Sequence, residues 1–188
     1  ALTITSAGAG TTTTLSGITD VEQVTFTQAG ADTLALASAT SFNKITIPHV
    51  AVDAAVSVTG IQSGATVVYS QTADDALTLD TVAGATLTVD NKADTTGGSL
   101  TITDAATVNI IGKAATTDVT ALVLDAADTT VLNLSTTSTN DLDTGAITGT
   151  DKLETITLTT AAHTGTIVVG TVIDGDSVTS LTATGVGG

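Results

Sequence analysis

Carboxylates spaced two apart occur at Asp141 and Asp143, in the stretch NDLDTG, and at Asp174 and Asp176, in DGDS. A third group, Asp74, Asp75 and Asp80, lies in DDALTLD, and Asp32 lies in AGADTLALA. Calcium takes about six to eight oxygen ligands at flexible geometry, which clustered carboxylates and turn carbonyls can supply. The two Asp-x-Asp pairs sit beside glycines, like the opening half of an EF-type loop. The closing acid is absent, because the residue that would supply it for Asp141 is Lys152. A plainer role for the same residues is to cap turns, where a short carboxylate accepts nearby amides. Calcium is therefore the candidate cofactor, with Asp32, Asp74, Asp75, Asp80, Asp141, Asp143, Asp174 and Asp176 as candidate ligands.

Other chemistry finds little to build on. There is no cysteine, no Gly-x-Ser-x-Gly, no phosphate loop and no zinc-type histidine spacing. The two histidines, His49 and His163, are far apart in the chain. Paired carboxylates alone could serve a glycosidase. Sugar clefts, however, use aromatic platforms and basic residues, and this chain has only Phe26, Phe42 and Tyr69 and no arginine. A non-enzyme is expected. Thr-x-Thr pairs at Thr25/Thr27, Thr101/Thr103 and Thr157/Thr159 could order water on a flat face, as in ice-binding solenoids. Their scattered spacing favours ordinary solvent-facing strand threonines.

The chain carries 19 acidic residues, all Asp except Glu22 and Glu154, against four lysines, for a net charge of −15. Such a polyanion repels phosphate backbones and acidic lipid, so no nucleic-acid partner is expected. No stretch approaches the length of apolar sequence that spans a bilayer, so no membrane insertion is expected. The sequence begins at Ala1 with neither an initiator Met nor a leader, and reads as a processed product or a piece of a longer chain.

The elements that would hold these acids follow from hydrophobic alternation. Apolar-x-apolar cores fall at Val24/Phe26, Leu34/Leu36, Ile45/Ile47, Val56/Val58, Val67/Tyr69, Leu77/Leu79 and Leu87/Val89, one every ten or eleven residues. They continue less regularly from Leu100/Ile102 to Ile167/Val169, with a weak last one at Leu181 and a long gap before Ile156. Gly, Asp, Ser and Thr fill the intervals, as turns require. Thr, about a quarter of the chain, is β-branched and suits strands. With one proline and a mean hydropathy of +0.42, the chain is not a disordered Thr-rich stalk. The core must be built from Val, Ile, Leu and Ala, which fill narrow repetitive interiors well.

Two architectures share this spacing: a right-handed parallel β-solenoid and an antiparallel β-sandwich. Tight hairpin signals are nearly absent, with no Asn-Gly and a single Asp-Gly at Asp174–Gly175. The near-fixed period favours a single elongated solenoid over residues 1–188, with two strands per coil of about 21 residues or three per coil of about 31. Repetition points the same way. VEQVTFTQ at Val21–Gln28 returns as LETITLTT at Leu153–Thr160, which would align Val24 and Phe26 with Ile156 and Leu158. A second phrase recurs as SFNKITI at Ser41–Ile47, DVTALVL at Asp118–Leu124 and SVTSLTA at Ser177–Ala183. Glu22 and Glu154 hold equivalent places in the first phrase and suit a coil-corner role better than a ligand role.

These phrases, with ADTLAL at Ala31–Leu36 and DALTL at Asp75–Leu79, resemble bacterial surface-layer (S-layer) proteins and related RTX-type calcium-binding surface proteins. The resemblance implies secretion to the cell surface, calcium-dependent folding or lattice assembly, and a scaffolding role without catalysis. Expected partners are further copies of the chain, in a lattice or filament, and cell-surface polysaccharide. An adhesin or binding module of a large secreted protein is the alternative. The RTX nonapeptide G-G-x-G-x-D-x-U-x has no intact copy here; Ala29–Ala37 keeps one Gly and Asp32 but lacks the glycine series.

Overall fold

Period-two alternation puts Val, Ile and Leu on one side of each segment and Thr on the other, and the chain buries the first side by winding. The structure is a computed structural model that describes residues 1–36, 41–48, 54–70, 76–92, 98–119, 121–125, 127–137, 139–161, 165–172 and 177–185. Among these there is no helix, and the strands stack in parallel as a β-solenoid of about seven turns. The antiparallel sandwich is not the fold.

Two faces carry the winding. The first stacks β1 (Leu2–Thr5), β3 (Gln23–Thr27), β5 (Lys44–Ile47), β7 (Thr66–Tyr69) and the later halves of β8 (Leu77–Asn91) and β9 (Ser99–Gly112). It continues through β12 (Val131–Thr136), β15 (Thr155–Thr160) and β17 (Ser180–Thr184). The second stacks β2 (Thr12–Thr14), β4 (Asp32–Ala35), β6 (Val56–Ile61), the early halves of β8 and β9, β11 (Ala121–Val123) and β14 (Ala146–Thr148). Because β8 and β9 each turn a corner without leaving the ladder, the faces join into one 14-stranded sheet. A separate three-stranded sheet, β10 (Thr116–Asp118), β13 (Asp141–Asp143) and β16 (Ile167–Val168), forms a third face in the later coils.

The register explains the loosening of the sequence period. On the first face Leu2 pairs with Val24, Val24 with Ile45, Ile45 with Val67, Val67 with Val89 and Val89 with Ile110, so a coil takes 21 or 22 residues. Ile110 then pairs with Leu134, Leu134 with Leu158 and Leu158 with Ala183, so a coil takes 24 or 25. The extra residues accompany the third face. The early coils thus hold two strands and the later ones three, at nearly the same coil length.

The core is a set of aligned columns, with Val24, Ile45, Val67, Val89, Ile110 and Leu134 all buried. Burying one such side chain contributes roughly 1.5–3 kcal/mol, and each stacks on its own kind above and below. The neighbouring column runs Ile4, Phe26, Ile47, Tyr69, and then turns polar at Asn91, Gly112 and Thr136. Leu158, not Ile156, stands in the Val24 column, so the repeated phrase is offset by two residues from structural equivalence. A shift of two keeps every side chain on its own side of the sheet. The second phrase spans both faces: Lys44–Ile47 and Ser180–Thr184 lie on the first and Ala121–Val123 on the second. It encodes a corner entering a strand rather than one fixed place in the coil.

Thr25/Thr27 and Thr157/Thr159 lie on the first face and Thr101/Thr103 on the second. Register also assembles what spacing hid. Thr12, Thr33, Ser57, Thr78 and Thr101 form one hydroxyl column across five coils of the second face, at the strand spacing of about 4.8 Å. Val123 ends it. On the first face Asn133 Nδ2 donates to Asn109 Oδ1 at 2.8 Å, and Asn109 Nδ2 to Thr88 Oγ1 at 3.3 Å.

Candidate metal site at a coil corner

The corner that leaves the second face recurs in successive coils and collects acids. Asp80 and Asp104 sit at the bends of β8 and β9, and Asp125 follows β11. Thr101 pairs with Val123, which sets Asp125 beside Thr103 and Asp104. Asp104 has a left-handed backbone, φ 63°, which turns the corner and is uncommon outside glycine and asparagine or aspartate. Its amide donates to Asp125 Oδ2 at 3.1 Å. Asp125 in turn folds the next turn around itself. Its Oδ1 accepts from the Ala127 amide at 2.8 Å, and its carbonyl accepts from Asp128 at 3.3 Å and Thr129 at 3.0 Å. Fully buried Thr129 donates its hydroxyl to the Ala105 carbonyl at 2.8 Å and ties that turn to the Asp104 corner.

The result is a group of three half-buried carboxylates, Asp104, Asp125 and Asp128, each with an oxygen within 4.8 Å of the others. Asp80, whose Oδ1 accepts from Thr103 Oγ1 at 2.8 Å, stands one coil away. Desolvation first, and then the charges of Asp80, Asp125 and Asp128, raise the Asp104 carboxyl above its ordinary value. A carboxyl so raised opposes folding once both states are ionised, and protonation or a cation relieves that opposition. Hard oxygen ligands at this spacing fit calcium or magnesium rather than a soft metal.

The acids singled out in the sequence are placed differently. Asp141 and Asp143 lie in strand β13, not in a loop, on either side of fully buried Leu142. Asp141 Oδ1 accepts from the Thr166 amide at 2.7 Å and Asp143 Oδ1 from the Gly145 amide at 2.9 Å. Asp32 is buried, and its two oxygens accept from five donors of the chain. Oδ2 takes Ser6 Oγ at 2.5 Å, the Ala29 amide at 2.9 Å and the Gly30 amide at 3.1 Å. Oδ1 takes the Thr11 amide at 3.0 Å and the Thr11 hydroxyl at 3.2 Å. Burial pushes the Asp32 carboxyl up, and the hydrogen bonds from Ser6, Thr11 and Ala29 outweigh it, bringing it down to about 2. Asp74, Asp75, Asp174 and Asp176, with His49 and His163, lie outside the described residues.

Among the described residues, only Asp80 belongs both to the acids singled out and to the acids gathered at this corner. Asp104, Asp125 and Asp128 escape a search for acids close in sequence, because the corner gathers residues one coil apart. The signal that finds them is acid spacing equal to the coil: 24 residues from Asp80 to Asp104 and 21 from Asp104 to Asp125. Glu22 and Glu154 are exposed corner residues, and their carbonyls each accept two successive amides of the next coil, Asn43 and Lys44, and Thr179 and Ser180. The chain matches no protein-family model, no curated protein and no solved structure.

Proposed function

We propose that this chain is a structural, non-catalytic component of an extracellular bacterial surface assembly, a self-associating lattice or filament. The observation that carries this reading is the fold itself, a repetitive parallel β-solenoid whose coils bury Val, Ile and Leu on their neighbours. Such a scaffold suits a structural role.

The net charge of −15 opposes association of copies. Calcium held by Asp104, Asp125 and Asp128 lowers the opposition locally, and free cations screen the rest. Static light scattering during a calcium titration, followed by chelator, tests this. The mean mass should rise with calcium and return with chelator, and Asp104→Asn should weaken the calcium response while melting higher than wild type in chelator. A chain that stays monomeric at every calcium concentration would overturn the reading.

A further inference from the structure

Resting on that reading, we propose that the second face of the solenoid packs flat against the second face of another copy, side by side, about a twofold axis parallel to the solenoid axis. The contact lies on the flank of the middle coils.

The outward positions of this face are small in every coil. Thr33, Ser57, Thr78, Thr101, Val123 and Thr148 stand in one column, set by consecutive ladder pairings. Their strand neighbours Leu34, Val58, Leu79, Ile102 and Leu122 are buried, so the column points away from the core. Two residues before it along the strands come Ala76, Ser99 and Ala121, and two residues after it Thr59, Asp80, Thr103 and Asp125. Coils about 4.8 Å apart and columns two residues apart make this a patch of roughly 600 Å². Two copies would bury roughly 1,200 Å² in total, at the lower bound for specific interfaces.

Charge selects this face. Two chains of net charge −15 can press together only where acids are sparse. Among the described residues, Asp80 and Asp125 are the only charged side chains on the patch, and both lie in its edge column. The first face presents Lys44 and Asp90 among its outward residues, and the third presents Asp141 and Asp143.

Charge also selects the orientation. A twofold axis along the solenoid lays the acid edge of one copy over the alanine and serine column of the other, coil for coil. Asp80 then meets the partner's Ala76 and Thr103 meets the partner's Ser99, a larger side chain against a smaller one. Thr78 meets the partner's Thr78. An axis across the coils would instead lay the acid edge on its own copy. The chosen contact is self-complementary, as a twofold interface requires.

Sedimentation velocity of full-length wild type and three lysine variants, in one calcium buffer, tests this. Thr78→Lys lies in the middle column, Ala76→Lys in the edge column, and Thr88→Lys on the first face; all three positions are half-buried and outward. Each lowers the net negative charge equally, so differences among them are local. Thr78→Lys sets two lysines face to face and should weaken association about tenfold or more. Ala76→Lys meets the partner's Asp80 and should tighten it severalfold, and Thr88→Lys should match wild type. Circular dichroism should show an unchanged β-type spectrum, and Thr101→Lys replaces Thr78→Lys if that variant does not fold. Association of Thr78→Lys equal to wild type would overturn the contact, keep the assembly reading, and leave the face to another occupant such as a polysaccharide. Weaker association of Ala76→Lys would overturn the parallel orientation. Wild type monomeric at every concentration would overturn this contact and the assembly reading together.

Discussion

Asp32→Ala should loosen the N-terminal coils by about 3 kcal/mol, the cost of stripping a charged acceptor from several buried donors. The carboxylate gathers Ser6 and Thr11 from one coil and Ala29 and Gly30 from the next, and so closes the turn between β3 and β4 against the coil before it. Without it the Thr11 and Gly30 amides lose their carboxylate acceptor, and the Ala29 amide keeps only its bond to Ser6 Oγ at 2.8 Å. Hydrogen exchange should show the loss locally, with β1 and β2 amides exposed well before those of β9 and β12, because solenoid coils lean mainly on their neighbours. Asp32→Asn should cost less than alanine, since it keeps one acceptor oxygen, but should not match wild type.

The same carboxylate sets an acid limit. Its folded-state pKa is about 2 against an ordinary 3.8. The stabilisation, on the order of 2 kcal/mol, is fully present above the unfolded value and fades as pH falls from there through about 2. Wild type should therefore lose more of its N-terminal stability across that window than Asp32→Asn does. Equal acid sensitivity in the two chains would remove Asp32 from this role.

Gly149→Ala should be the most damaging single-methyl change, at about 4 kcal/mol, near the upper end for point substitutions. Gly149 has φ +70°, a conformation that costs an L-residue about 1–2 kcal/mol. A Cβ there would also sit on the carbonyl of Leu124 in the preceding coil, 2.8 Å from its carbon. That carbonyl belongs to backbone held in the ladder, where the Leu124 amide donates to Thr148 at 2.9 Å, so it has little room to yield. Gly64 supplies the comparison. Its φ is +84°, but a Cβ would meet nothing within 4 Å, so Gly64→Ala should cost only the conformational part, about 1 kcal/mol. Denaturant midpoints of the two variants, measured side by side, separate backbone strain from coil-to-coil contact. Equal losses would contradict the close approach at Gly149.

Much of this solenoid is legible in the sequence because its signal is local. Alternation marks the strands around Val24, Ile45, Val67, Leu79 and Ile110, and the small-residue core points to a narrow interior. Strands without apolar alternation stay hidden. β2 is Thr12–Thr14, all threonine, and it is a strand because its backbone pairs with Thr33–Ala35 one coil later. β10 and β13 likewise rest on register, and threonines such as Thr117 and Thr144 fill interior positions that a hydropathy pattern assigns to solvent. Local pattern leaves the count of strands per coil open for the same reason, since the third face arises from only two to four added residues per coil.

The corner group shows the same limit for chemistry. A carboxylate pair such as Asp141 and Asp143 is visible as spacing, yet each member serves a backbone amide of the chain. Asp104 and Asp125 meet only because winding brings residues 21 apart into contact, and no local motif encodes that. Repetition misleads in a related way. VEQVTFTQ and LETITLTT look equivalent, but the ladders place them two residues out of step, because later coils are longer and the buried column has moved along the strand.

The central claim is that the chain is a self-associating scaffold whose assembly responds to calcium. Sedimentation velocity of wild type in calcium and in chelator, across a wide concentration range, tests it most directly. Wild type should shift from monomer to larger species by mass action in calcium and return to monomer in chelator. Sedimentation as a monomer in both buffers at every concentration would contradict the account.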